Sequence, residues 1–234
     1  MAPAGRTLLR GLLAGSVAGL ATGLVALVIA EPTIEAAIAL EPAGGEELFS
    51  RTTQQLGLVL GLVLVGAALG LLFALAYRLV PAATRPWHRS LLLALGGFTA
   101  LYLVPFLRYP ANPPGVGELS TLESRTSAYL LCIALGVAVV TGAYAAVRAL
   151  DRRGVGGWQR QVGVSVAALL VVGTAYALLP AASAPLGDTP AGLVWDFRLR
   201  SLGLQLLLYA LIGTIFGVLT ERSASIRPAF AERT

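Results

Sequence analysis

Long apolar runs alternate with short polar segments along this chain. A helix needs about 20 apolar residues to cross a hydrocarbon core of ~30 Å. Six runs are close to that length or exceed it: Leu8–Ala30, Leu56–Val80, Ser90–Leu107, Ser127–Leu150, Val162–Leu179 and Ser201–Thr220. The pattern therefore predicts an all-α polytopic membrane protein with about six transmembrane helices, which form a single transmembrane domain over residues 1–234.

Two of the six runs leave the number of spans open. Pro105 interrupts the third run near its end, and the fifth run is the shortest. Five spans with one re-entrant segment is therefore the alternative count. The first run also resembles a signal peptide, because Arg6 and Arg10 precede it. It is longer than a usual signal core, so we expect a retained first helix.

Composition restricts the class of protein further. Hydrophobic residues make up 56% of the 234 residues and charged residues only 12%, about half the charged fraction of a soluble domain. This composition excludes a soluble domain and a disordered chain. A secreted domain built on disulfides is excluded as well, because Cys132 is the single cysteine. The 17 basic residues are all arginines and lie between apolar runs, so we expect no nucleic-acid partner.

Arginine placement predicts the orientation of the helices. One set of flanks has 12 Arg and three acids, and the alternate set has five Arg and nine acids. By the positive-inside rule, both termini are cytoplasmic, and an even number of spans follows. The predicted inner face then has a net charge of +9 and the outer face −4. The two principal outer segments are an acidic loop over 31–55 and a proline-rich loop over 105–126.

Glycines recur every four residues in the first run. This spacing places them on one helix face, where another helix can approach closely. We interpret the face as a packing surface within or between subunits, through which a homo- or hetero-oligomer could form; a sliding surface for a moving helix is the alternative. The glycines concerned are Gly11, Gly15, Gly19 and Gly23, and similar sets occur at Gly57, Gly61, Gly66 and Gly70 and at Gly213 and Gly217.

The acidic outer loop contains candidate ligands for a metal ion. Pro32 and Pro42 favour a short helix between them, on which Glu31 and Glu35 lie one turn apart. Two such carboxylates at a membrane boundary can bind a divalent cation. The alternative is a solvated acidic face. Farther along, Glu46, Glu47 and Arg51 are interpreted as solvated charge or as a field that attracts cations.

The second outer segment combines a stiff backbone with polar side chains. It has four prolines in ten residues, between Pro105 and Pro114. Free carbonyls and the Asn112 amide oxygen are candidate cation ligands there, provided that protein or water covers the backbone. Arg108 and Arg125 flank the segment and are predicted to pair with the acidic loop. A rigid outer cap with snorkelling arginines is the alternative.

Several classes of enzyme lack their signatures in this sequence. P-loop, H-E-x-x-H and G-x-S-x-G motifs are absent, so we expect no enzyme of those classes. His88 is the single histidine and by itself makes no metal site. Trp195 and Phe197 are interpreted as interfacial anchors.

Three segments resemble the CbtA family of predicted cobalt transporter subunits. The first combines Arg10-Gly11-Leu12-Leu13-Ala14-Gly15 with Glu31-Pro32-x-Ile34-Glu35-x-Ala37-Ile38-Ala39-Leu40-Glu41. The second and most specific is Tyr102-Leu103-Val104-Pro105-Phe106-Leu107-Arg108-Tyr109-Pro110-Ala111-Asn112-Pro113-Pro114, and the third is Trp195-x-Phe197-Arg198-x-x-Ser201-Leu202-Gly203. The similarity spans nearly the whole chain.

The resemblance implies a bacterial or archaeal inner-membrane protein that is linked to cobalt acquisition for cobalamin synthesis. It also implies a partner, CbtB, which is a small single-span protein with histidines near one end. No permanently bound cofactor is implied, because Co²⁺ is the transported ion. The positions that match the family are Glu31, Glu35, Glu41, Arg108, Tyr109, Asn112 and Arg198.

We therefore predict a membrane subunit that moves Co²⁺ or a related divalent cation inward. Glu31, Glu35 and Asn112 are the predicted metal ligands, and Glu41, Arg108, Arg125 and Arg198 are predicted gating or ion-pair residues. The main alternative is a scaffold or regulatory subunit that transports nothing. A further alternative is a membrane enzyme for a lipid-linked substrate, with Glu35 and Arg108 at its polar centre.

Overall fold

The computed structural model describes residues 3–40, 49–81, 85–116, 122–179 and 189–231, and these residues are helical almost throughout. The helices are α1 (Pro3–Ile29), α2 (Glu31–Ile38), α3 (Arg51–Leu79), α4 (Pro86–Phe98), a π-helical segment (Thr99–Leu103), α5 (Val104–Arg108), α6 (Leu122–Arg152), α7 (Gly157–Leu178) and α8 (Ala191–Ala231). The predicted all-α class is confirmed.

Six of the described segments are long and apolar enough to cross a membrane. They are Ala4–Ile29, Arg51–Leu79, Pro86–Arg108, Arg125–Arg152, Gly157–Leu178 and Ala191–Ser223. The predicted number of spans is therefore confirmed, and the short fifth run forms a helix of 22 residues. The cytoplasmic placement of both termini stays a prediction.

The chain divides into two compact units. The first comprises Met1–Leu95 and Gly192–Thr234, and the second comprises Gly96–Ala191. The boundary falls inside α4 and near the start of α8, so the units do not correspond to consecutive halves of the sequence.

Helices α1 and α3 of the first unit touch backbone to backbone. A methyl group on Gly66 would lie 2.9 Å from the Cα of Gly19, and one on Gly70 would lie 2.9 Å from the Cα of Gly15. Real side chains do not occupy such short distances, so only glycine permits this approach. By contrast, no described atom lies within 4 Å of a methyl group placed on Gly57 or Gly61.

Aromatic residues fill the space beside this glycine contact. The ring of Phe216 on α8 packs edge-on against Phe73 and Tyr77 of α3, with ring centroids 5.1 and 4.9 Å apart. The Ser90 hydroxyl of α4 donates a 2.7 Å hydrogen bond to the Gly213 carbonyl of α8. Four spanning helices therefore contribute to one core, which includes Ala14, Ala18, Phe73, Ala74, Tyr77, Ala94, Leu208, Ile212 and Phe216.

The third spanning helix continues through Pro105 instead of ending there. Proline has no N–H and its ring conflicts with the carbonyl four residues earlier. The helix accommodates this by a wider π turn, in which the Val104 N–H donates to the Thr99 carbonyl. Irregular backbone begins only at Tyr109, so the predicted loop over 105–126 is helical at Pro105–Arg108 and again from Leu122.

In the second unit, α6 contacts both the π-helical segment and α7. Gly136 of α6 lies so close to Ala100 that a methyl group would be 2.9 Å from the Ala100 Cα. Helices α6 and α7 leave an apolar groove of about 430 Å³ between them, lined by small residues that include Gly142, Gly163 and Ala167. No residue of α7 is buried among the residues that the structure describes.

The glycine contact predicts a contrast between two substitutions on α3. Gly66→Ala should destabilise the protein by about 1–3 kcal/mol, because the added methyl group forces α1 and α3 apart. Gly61→Ala should be neutral or stabilising by up to about 1 kcal/mol, since alanine favours a helix and the space is open. Unfolding of both purified variants in the same detergent measures the difference; equal stabilities would contradict the contact.

Candidate functional site

Glu31 lies at the junction between two helices. Helix α1 ends at Ile29 and α2 begins at Glu31. Pro32 lies in the first turn of α2, where proline is tolerated because backbone N–H groups there make no hydrogen bond within the helix. The Thr33 hydroxyl donates a 2.7 Å hydrogen bond to the Ala30 carbonyl and stabilises the turn. The turn directs Glu31 inward, where it is only 7% exposed.

Two residues from the start of α3 hold the buried carboxylate. Arg51 forms an ion pair with Glu31, and the Gln55 amide donates a 2.9 Å hydrogen bond to the same carboxylate. Both bonds end on Oε1, so neither uses Oε2. Because a buried carboxylate requires a compensating charge, Arg51 accounts for how Glu31 is tolerated inside the fold.

The sequence pattern does not mark Arg51 and Gln55 as functional candidates, and it favours solvated charge or a field that attracts cations for Arg51. The Arg51 side chain is only 29% exposed, and it is engaged by Glu31. A signal was present in the spacing: Arg51 and Gln55 lie four residues apart at the start of an apolar helix and therefore share one face. Their partner is 20 or more residues away, so the spacing alone did not identify it.

The second predicted carboxylate has a different environment. Glu35 lies one turn after Glu31 on α2 and is exposed, whereas Thr33 and Ala37 are the neighbouring buried positions. The two acids therefore differ in burial and in partners: Glu31 is held in an ion pair and Glu35 is exposed. Within the described residues there is no group of three or more His, Cys, Asp or Glu side chains able to enclose a metal.

Two arginines near the start of α8 belong to the first unit, and one of them, Arg198, is a predicted gating or ion-pair residue. Arg200 donates a hydrogen bond from its guanidinium to the Ile29 carbonyl, at the end of α1 and two residues before Glu31. Arg198 is half-buried on the same helix. Glu41, with Glu46 and Glu47, lies outside the described residues.

The remaining predicted residues belong to the second unit. Arg108 ends α5 and donates a 2.6 Å hydrogen bond to the Leu179 carbonyl, just after α7. Asn112 is half-buried in the irregular stretch after Tyr109, next to the buried Pro113. Arg125 is half-buried in the first turns of α6. Their predicted roles as ligand and gating residues stay predictions.

The ion pair predicts a coupled effect on stability. Arg51→Gln should destabilise the protein by about 1–3 kcal/mol, because it leaves the Glu31 carboxylate buried without a positive partner. The double variant Glu31→Gln/Arg51→Gln should recover part of that loss, since no charge is then buried.

Arg78→Gln serves as the control, because Arg78 is an exposed arginine at the far end of the same helix. Denaturation in detergent measures the stability of the wild type, of Arg51→Gln, of Arg78→Gln and of the double variant. Equal losses for Arg51→Gln and Arg78→Gln, or a double variant less stable than Arg51→Gln alone, would show that the pair is not coupled.

The chain belongs to the CbtA family, described as probable cobalt transporter subunit, whose model matches residues 4–221. Neither a curated protein nor a solved structure matches the chain significantly. The family assignment confirms the resemblance seen in the sequence. The chain is therefore a member of a family of transporter subunits, and transporter subunits are not a class of enzyme.

Proposed function

From its CbtA membership, we propose that the chain is the subunit that carries Co²⁺ inward across the bacterial plasma membrane, supplying cobalamin synthesis. The observation that supports a cation site is the buried Glu31 carboxylate, paired with Arg51 at one end of two spanning helices. By the arginine distribution, this end faces outward and has the more acidic flanks. Those flanks raise the local concentration of cations.

The proposed entry step is an exchange of partners at Glu31. An arriving ion first meets the exposed carboxylate of Glu35, which replaces part of its water shell with oxygen. It then competes with Arg51 for Glu31, beginning at Oε2, which the Arg51 and Gln55 bonds leave unused. When the site is empty, Arg51 neutralises the carboxylate, so no isolated charge remains buried.

The small number of protein ligands at the entry favours release of the ion over its retention. A cation held by one or two carboxylates and water can leave again, whereas a closed cage would retain it. We propose that imidazole ligands come from a partner, the small single-span histidine-bearing protein implied by the family. The term subunit in the family description supports the existence of partners.

The other predicted groups have proposed roles in the same transport. Asn112 and free carbonyls of the irregular stretch after Tyr109 are proposed oxygen ligands of the second unit. Arg108, Arg125, Arg198 and Glu41 are proposed gating or ion-pair residues. An inside-negative potential contributes about 4.6 kcal/mol per 100 mV for a dication, so uptake requires no ATPase in this chain.

Uptake of radiolabelled Co²⁺ by proteoliposomes with an imposed inside-negative potential tests the proposal. The chain is measured alone and with the small partner. Glu31→Gln should reduce potential-dependent uptake about tenfold or more, equivalent to about 1.4 kcal/mol of lost stabilisation, and Glu35→Gln should reduce it less. Glu123→Gln changes an exposed acid in the first turn of α6 and is the matched control. It should lower uptake far less than Glu31→Gln, because it removes only one of the nine acids of the outer flanks.

Two results would contradict the proposal. Unchanged uptake in Glu31→Gln/Glu35→Gln protein that reaches the membrane would remove the entry site. No uptake from any folded preparation would favour the scaffold or regulatory alternative. The small-residue groove between α6 and α7 supports that second function, because such surfaces suit the close approach of another membrane helix.

A further inference from the structure

A pocket lined by charged and aromatic residues lies within the first unit, where α4 begins and the spanning part of α8 ends. It has a volume of about 410 Å³ and is lined by Arg85, Trp87, His88, Val218, Glu221 and Arg222. None of these residues belongs to the proposed cation site.

Contacts between the two helices fix the walls of this pocket. The backbone N–H of Trp87 donates a 3.1 Å hydrogen bond to Oε2 of Glu221. The Trp87 ring packs so closely on Gly217 that a methyl group there would lie 2.9 Å from the ring. One turn farther into α4, Ser90 bonds to the Gly213 carbonyl. The pocket is therefore built by helix packing.

The charge of the lining favours an anion over a cation. Arg85 and Arg222 contribute two positive charges, and Glu221 contributes one negative charge and already accepts the Trp87 N–H. Arg89 is directed elsewhere, because its guanidinium lies 3.9 Å over the Tyr77 ring and donates to carbonyls at the end of α3. A guanidinium group can donate two parallel hydrogen bonds to phosphate oxygens. The imidazole N–H of His88 is a further donor in the lining.

The position of the pocket favours a lipid headgroup as the source of a bound phosphate. Its residues lie at the ends of the candidate spans Pro86–Arg108 and Ala191–Ser223. The end of a membrane span lies at the depth of the lipid headgroups. Tryptophan is enriched at that depth, and basic pockets between spanning helices bind anionic headgroups. Val218 and the Trp87 ring offer apolar surface beside the charges, which suits a molecule with both a phosphate and a hydrocarbon part.

We propose that this pocket binds the phosphate of an anionic phospholipid, with Arg85 and Arg222 as its ligands. The bound lipid bridges the start of α4 and the end of α8. The site makes lipid composition a determinant of the protein's stability, independently of which ion the protein carries.

The test compares binding of phosphatidylglycerol and phosphatidylcholine to the full chain in detergent, by native mass spectrometry and by the lipid-induced rise in unfolding temperature. Wild-type protein should prefer phosphatidylglycerol. Arg85→Gln/Arg222→Gln should lower its affinity for that lipid about tenfold or more, as expected for the loss of charge-assisted hydrogen bonds. Arg152→Gln/Arg153→Gln removes two exposed positive charges elsewhere and is the matched control.

Each outcome decides the proposal. Loss of the preference in the pocket variant, with retention in the control, supports it. An equal loss in both variants, or no preference in the wild type, would overturn it in favour of general attraction to basic flanks. Glycerol phosphate that binds as tightly as the lipid would show a site for soluble phosphate instead. Should the double variant fail to fold, the exposed single substitution Arg85→Gln answers the same question.

Discussion

Helix ends at a membrane boundary need partners for their last carbonyl groups, and this protein uses arginines to supply them. Arg200 donates to Ile29 at the end of α1, and Arg89 donates to Tyr77 and Val80 at the end of α3. Arg108 donates to Leu179 just after α7. A carbonyl without a partner is costly away from water, and the C-terminal end of a helix attracts positive charge. Three spanning helices therefore end against an arginine from another segment.

Arg51 occupies the opposite kind of position. It is the first residue of α3, where the helix dipole is positive and a cation is unfavourable. Glu31 compensates for this by forming the ion pair. The pair therefore neutralises two costs at once: a buried carboxylate and a positive charge at a helix N-terminus. A dication that takes Glu31 leaves Arg51, which is 29% exposed, free to reach water, so the exchange proposed for transport strands no buried charge.

The sequence alone was sufficient for much of the fold. Apolar runs located all six spans, and prolines located the short helix that carries Glu31 and Glu35. Hydropathy detects only the apolar part of a helix, so α8 was predicted from Ser201 although it begins at Ala191. The π turn was missed as well, because a proline in an apolar run predicts an interruption and not the wider turn that accommodates it.

The site was only half predictable, for a physical reason. Glu31 could be selected from local spacing, because one helical turn relates it to Glu35. The partner of Glu31 depends on how α1 and α3 pack, and the ion pair spans 20 positions of sequence. The glycine pattern indicated a close contact but not its extent: Gly66 and Gly70 lie against α1, whereas Gly57 and Gly61 have open space beside them.

The close contact between α1 and α3 bears on how the site works. Where Gly15 and Gly19 face Gly66 and Gly70, backbone lies against backbone. A slide of one residue, about 1.5 Å, would bring larger side chains into these positions. The contact therefore favours a rigid pair over a sliding surface. Toward the Glu31 end the contact continues, because a methyl group on Gly23 would lie 3.1 Å from the Cα of Val59. Gly57 and Gly61 have open space because they lie on a different face of α3. Side-chain exchange at Glu31 and Arg51 thus takes place at the end of a helix pair whose close contact extends from Gly11 to Gly23 of α1.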